Sequence, residues 1–139
     1  MEQRPATRAG ERSYWLRRHR KSAGTARRLL REFLGDLDGG ELFVDVGELL
    51  LSELVTNSLK HARVSPGRLI AVRFELRDEL LQVEVHDASG ERPELRTLAG
   101  ADDESGRGLW LVESLAVAWG CCPRPGGVGK FAWALVGPS

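Results

Sequence analysis

The chain alternates between two hydrophobic periods. Around residues 22–40, "SAGTARRLLREFLGDLDGG" places Leu29, Leu30, Phe33, Leu34 and Leu37 three or four residues apart, the stripe of an amphipathic helix. Ser22 is positioned to cap its start, and Gly39 and Gly40 to end it. A second helical pattern runs from about Leu42 to Ala62, with Leu50, Leu51, Leu54, Val55 and Leu59 as its packing surface. "VSPG" then makes a turn, and the period changes to two. In "RLIAVRFELR", Ile70, Val72, Phe74 and Leu76 alternate with Leu69, Ala71, Arg73 and Glu75. "LLQVEVHD" alternates again after the dipeptide Asp78-Glu79, so the pair reads as an antiparallel hairpin. "RGLWLVESLAVAWG" predicts a third helix ending near Ala118. "CCPRPGGVGKFAWALV" predicts a last pair of strands around a Pro-Gly turn. Ahead of all this, residues 1–12 are polar and expected to be loose. "SYWLRR" suits a short strand, with Tyr14 and Leu16 facing one way and Trp15 the other.

This order predicts an α+β fold in two layers, a mixed or antiparallel sheet with helices packed on one face. A length of 139 residues fits one domain. We place it at residues 14–139, after a flexible basic tail over 1–13. One segment has no period. "ASGERPELRTLAGADDESG" is rich in Gly, Asp, Glu and Ser, and a loop of that length in a small domain usually serves function. Its part from Glu91 to Ser105 is placed to close over a ligand.

Composition changes the picture in two places. Formal net charge is zero, but residues 1–31 hold ten Lys or Arg against two acids, and the remainder holds ten against eighteen. The cluster Arg4, Arg8, Arg12, Arg17, Arg18, Arg20, Lys21, Arg27, Arg28 and Arg31 reads as a solvated tail and helix face, or as a docking surface for an acidic partner. No aromatic interleaving points to direct nucleic-acid binding. Cys121 and Cys122 are adjacent, which disfavours a bridge between them on a strand, and we read them as core-type residues. No apolar run approaches a membrane span and no signal segment opens the chain, so the expected location is cytoplasmic.

The chemistry begins in "ELLLSELVTNSLKHA". Glu53, Asn57 and His61 lie four residues apart, about 1.1 turns each, along one side of an otherwise apolar helix. Buried polar groups require partners. Either Asn57 and His61 bond neighbouring loops, or the line forms part of a metal–phosphate site, since carboxylate and carbonyl oxygens suit Mg²⁺. Three further features bear on that choice. Asp87 ends a strand next to a glycine-containing turn, where it can turn the chain or accept from an exocyclic amine. "SGRGLWLV" puts Gly106 and Gly108 at a helix start, where backbone N–H groups favour anions. The aperiodic loop joins the two.

Taken in order, these motifs resemble those of the GHKL ATPases, which have the Bergerat ATP-binding fold. The first is "ELVTNSLKHA", the second "DASGE" and the third "GRGLWLV". The small size looks like the anti-sigma-factor serine/threonine kinases of the RsbW type, and the tail "WGCCPRPGGVGKFAWAL" is similar to small stand-alone actinobacterial members. The resemblance spans about residues 14–136. It implies that Glu53 is the general base, that Asn57 is the Mg²⁺ ligand and that Lys60 contacts phosphate. It further implies that Asp87 accepts from the adenine amino group, and that Gly106, Arg107, Gly108 and Leu109 form the phosphate-binding turn. Gly90 is the glycine retained in the second motif, and His61 matches a family position that packs or orients. The implied cofactors are ATP and Mg²⁺. The implied partners are a sigma factor or an anti-sigma antagonist of the STAS type, with a homodimer left open.

The chain departs from the family at Ser89 and Glu91, where glycines are usual, and at Phe131, where relatives often carry Thr. Three activities follow as alternatives: an anti-sigma-type protein kinase, a non-catalytic module that sequesters a partner, and a detached histidine-kinase ATPase domain. The last is disfavoured because no phosphoacceptor helix is read before residue 14.

Overall fold

Period-two alternation becomes a sheet with one dry face. In the computed structural model, which describes residues 10–61, 69–87, 111–123 and 129–139 (Lys60 and His61 by backbone alone), β2 spans Leu69–Arg77 and β3 spans Leu80–Asp87. Ile70, Val72, Phe74 and Leu76 of β2, with Leu81, Val83 and Val85 of β3, are all buried. The turn between them takes Asp78 and Glu79 at φ 55° and 62°, the left-handed pair that a two-residue hairpin needs to match strand twist. β1 (Gly10–Arg17) adds to β2, and β4 (Ala118–Pro123) and β5 (Lys130–Val136) complete the sheet in the order β1-β2-β3-β5-β4. Every pairing is antiparallel, which resolves the expected "mixed or antiparallel" sheet to the second alternative.

Both long helices cover the dry face. α1 (Ser22–Gly35) buries Ala26, Leu30, Phe33 and Leu34, and α2 (Val44–His61) buries Leu50, Leu51, Leu54 and Val55. At roughly 1.5–3 kcal/mol for each large apolar side chain, this layer is the main favourable contribution to folding. Phe33 meets Phe74 at 5.7 Å between ring centroids, joining helix and sheet. The helices are also pinned to one another from the surface, where Arg31 grips Glu48 through two bonds of 2.7 and 3.1 Å. Gly47 lets α2 pack close to the sheet and α1: a Cβ there would lie 2.9 Å from Leu81 Cδ2 and 3.3 Å from Leu30 Cδ2.

Several element boundaries differ from the sequence reading, each for a local reason. β1 starts at Gly10, inside the stretch expected to be loose, because residues 10–17 pair along their whole length with 69–76. Ser22 is the first residue of α1 and does not cap it. Its hydroxyl donates back to the Arg17 carbonyl, while Lys21 holds the cap position without a side-chain bond. α1 ends at Gly35, where the Asp36 N–H bonds back to the last turn, and not at Gly39 and Gly40. Those glycines instead start a 3₁₀ turn over Gly40–Phe43, so the second helix begins at Val44 and not Leu42. A Cβ on Gly40 would fall 2.0 Å from the Leu34 carbonyl oxygen, so only glycine fits beneath that helix end. Helical structure persists only to residue 115, and Ala118 to Gly120 belong to β4. They pair with Trp133 to Leu135. Cys121 and Cys122 are half-buried thiols on this strand and not core residues.

Candidate functional site

The site residues gather where the C-terminal half of α2 crosses the ends of β3 and β1. Asn57 faces inward and is 5% exposed. Among the described residues its Oδ1 has no hydrogen-bond donor. A buried carbonyl oxygen left without a donor costs on the order of 1–3 kcal/mol, so such an atom in an otherwise well-packed helix calls for a ligand. Glu53, one turn earlier, is half-buried. The loops after α2 and β3, to which the first sequence alternative would bond Asn57 and His61, lie outside the described residues.

Beside Asn57, Ser58 points to β3. Its Oγ donates to Asp87 Oδ2 at 2.7 Å. The same oxygen accepts from Arg18 Nη1 at 3.1 Å, and both side chains of this ion pair are withdrawn from water, at 6% and 4% exposure. Arg18 follows β1 directly. Its Nη2 also donates to the carbonyls of Leu59, at 3.3 Å, and Ser58, at 3.5 Å. These lie in the last turn of α2, where carbonyls lack helical partners. One guanidinium therefore joins β1, the end of β3 and the end of α2. On the next strand Lys130 stands directly across from Asp87 and is also buried.

Three of these residues were missed from sequence. Arg18 sits in a basic run that reads as solvated, and Ser58 reads as a helix filler. Lys130 is recoverable from alternation in "KFAWALV", which puts Lys130, Ala132, Ala134 and Val136 on one face. The same alternation corrects the expectation about Phe131, which lies on the opposite face of the sheet. There it pairs with His86, their rings stacked with centroids 4.5 Å apart. Lys130, not residue 131, is the register partner of Asp87.

The opposite face carries its own charge cluster. Arg73 reaches Glu11, Glu75 and Glu84, each at 2.8 Å, and Glu84 accepts from Gln82 and pairs with His86 Nε2 at 2.7 Å. Burial pushes the Glu84 carboxyl up, but the His86 hydrogen bond and the Arg73 charge outweigh it and hold the group below the ordinary carboxylate range.

Of the remaining sequence-predicted site residues, Lys60 and His61 belong to the last turn of α2 by backbone, and their side chains lie outside the description. Gly90, Gly106, Arg107, Gly108 and Leu109 lie outside the described residues, as do Ser89, Glu91 and the loop to Ser105. Among the described residues no group of three His, Cys, Asp or Glu side chains forms a metal cage. Mg²⁺ does not require one, since it keeps several waters and shares its shell with phosphate oxygens. A buried amide oxygen without a donor among the described residues, one helical turn after Glu53, fits such an ion. Nor is any helix among the described residues long and apolar enough to cross a membrane.

No curated protein matches the chain. Among protein families, the histidine kinase-like ATPase domain matches residues 17–119, from the end of β1 into β4, and so takes in Arg18, all of α2, β3 and the intervening loop. With the five-stranded antiparallel sheet and its covering helices, that match over most of the chain shows that the protein belongs to the histidine kinase-like ATPase domain family.

Proposed function

We propose that the protein binds ATP with Mg²⁺ and acts as an anti-sigma-type serine/threonine protein kinase. Its substrate would be a hydroxyl of an anti-sigma antagonist of the STAS type, and it would hold a sigma factor in the alternate state. The observation that carries the ATP reading is the buried, donor-free Oδ1 of Asn57 one residue from the Ser58–Asp87 contact. It supports a ligand oxygen on Asn57 next to Ser58, the residue that bonds the carboxylate expected to read the base. Asn57 Oδ1 would hold the cation, and Lys60 would contact phosphate. When bound, Mg²⁺ neutralises charge on the phosphates.

The remaining chemistry falls to the chain. Asp87 accepts from the adenine amine and fixes the base. Glu53 takes the proton from the substrate hydroxyl as its oxygen attacks the γ-phosphorus. The bond to the β-phosphate oxygen breaks, and ADP leaves. A positioned general base contributes roughly 10²- to 10⁴-fold in rate. The test is transfer of labelled γ-phosphate to candidate antagonists with Mg²⁺, comparing the parent with Glu53→Gln. Transfer that falls by about that factor, with ATP binding retained, supports the kinase. Transfer that survives the substitution removes Glu53 as the base.

A second reading, the partner-sequestering module, is favoured by the second motif, in which only Gly90 stands between Ser89 and Glu91. It predicts ATP binding without label on any antagonist and without hydrolysis.

A further inference from the structure

We propose that Arg18 is a positioning residue for base recognition: with Ser58 it clamps one oxygen of Asp87, and this clamp sets the preference for adenine over guanine. The inference rests on the ATP reading above and goes beyond it, since it assigns the selectivity to a residue outside the three nucleotide motifs.

The geometry is specific. Asp87 Oδ2 receives two donors, Ser58 Oγ at 2.7 Å and Arg18 Nη1 at 3.1 Å. Two donors on one carboxylate oxygen use both of its lone-pair directions. They also restrain the plane of the carboxylate about its last torsion. Arg18 is itself held, because its second nitrogen spans the carbonyls of Ser58 and Leu59. The clamp is therefore referenced to α2, the helix that carries Asn57. Base-reading and cation-binding groups are kept in register by one side chain, and it is buried, where a hydrogen bond to a charged group is strongest.

A fixed, ionised carboxylate is acceptor-only. It favours adenine, which presents an amine at C6, over guanine, which presents a carbonyl there. A carboxylate released from Arg18 and Ser58 loses two of the donors that orient it, and its discrimination falls. A purely structural ion pair would lower stability but leave the choice of base alone.

The experiment is calorimetric titration of the parent, Arg18→Met, Arg18→Lys and Ser58→Ala with ATP and with GTP in Mg²⁺, below each variant's melting temperature. Arg18→Met should lose ATP affinity on the order of tenfold while GTP affinity changes little, so the ATP:GTP ratio falls. Ser58→Ala, which removes one donor and strands no charge, should lower the ratio in the same direction by less. Arg18→Lys should recover part of it. If Arg18→Met does not fold, Ser58→Ala and Arg18→Lys carry the test. An unchanged ratio in the variants alongside reduced stability would overturn the proposal and leave the clamp structural. Tighter ATP binding in Arg18→Met would overturn it too, because Arg18 would then oppose the base. A parent that binds neither nucleotide overturns the ATP reading first, and that result is visible before any substitution.

Discussion

Replacing Asn57 by Ala separates the two uses of a buried amide. In most cores, deleting a buried polar side chain strands its partners and destabilises. Here Oδ1 has no donor among the described residues, so the substitution strands none on that atom. Two contributions remain. Removing the amide leaves a small void beneath α2, worth about 1 kcal/mol. It also removes a desolvated carbonyl oxygen that costs the apo protein on the order of 1–3 kcal/mol. The contributions oppose each other, so apo stability should fall by no more than about 1 kcal/mol, or a few degrees in melting temperature. The liganded state behaves differently. At a nucleotide concentration 100 times the dissociation constant, a ligand that binds only the native state adds about 2.7 kcal/mol. The parent should gain that stabilisation from ATP with Mg²⁺, and Asn57→Ala should gain almost none. Differential scanning fluorimetry with ATP, with and without Mg²⁺, reads both contributions in one experiment. An apo loss of 3 kcal/mol or more would mean that Oδ1 is bonded within the protein. Equal stabilisation of parent and variant by Mg²⁺ and ATP would remove Asn57 from the site.

Three further outcomes are expected. Asp87→Asn should destabilise by about 3 kcal/mol, because it removes the Asp87 charge from the buried Arg18; in a double-mutant cycle by denaturant unfolding, adding Arg18→Met should restore much of that loss, and additive losses would refute the pair. Glu84 has a folded-state pKa below its ordinary value of 4.5, so its contribution is complete above that pH and is lost as pH falls through the folded pKa; Glu84→Gln should therefore flatten the acid limb of a stability–pH curve, and an unchanged limb would contradict the cluster. Glu79→Gly should raise stability by about 0.5–1 kcal/mol in urea unfolding, since Glu79 holds a left-handed φ of 62° that glycine adopts without a Cβ penalty.

How legible the molecule was from sequence depends on how local each determinant is. The β2–β3 hairpin and the inward faces of α1 and α2 follow from period alone, because each residue's burial is set by neighbours two to four positions away. Boundaries were less legible. Ala118 continues the apolar run of the preceding helix but pairs with β5, and Ser22 looks like a cap but bonds backward to Arg17. In the site, Asn57 stood out because an amide on a leucine-rich helix violates the local pattern. Arg18 did not, since it sits among other basic residues and its partner is 69 positions away. Within that cluster Arg31 does keep an exposed side chain while Arg18 is withdrawn from water onto Asp87, so charge density alone misread Arg18 as surface. Phe131 was misassigned by motif spacing, which ignores the strand's alternation.

On the proposed function, α2 and the end of β3 form a Mg²⁺-dependent ATP site. Isothermal titration of the parent protein with ATP, first in Mg²⁺ and then in EDTA, tests it most directly. Saturable binding at one nucleotide per chain in Mg²⁺, weakened at least about tenfold in EDTA, is the predicted result. Absence of saturable binding in Mg²⁺, or identical binding in EDTA, would contradict it.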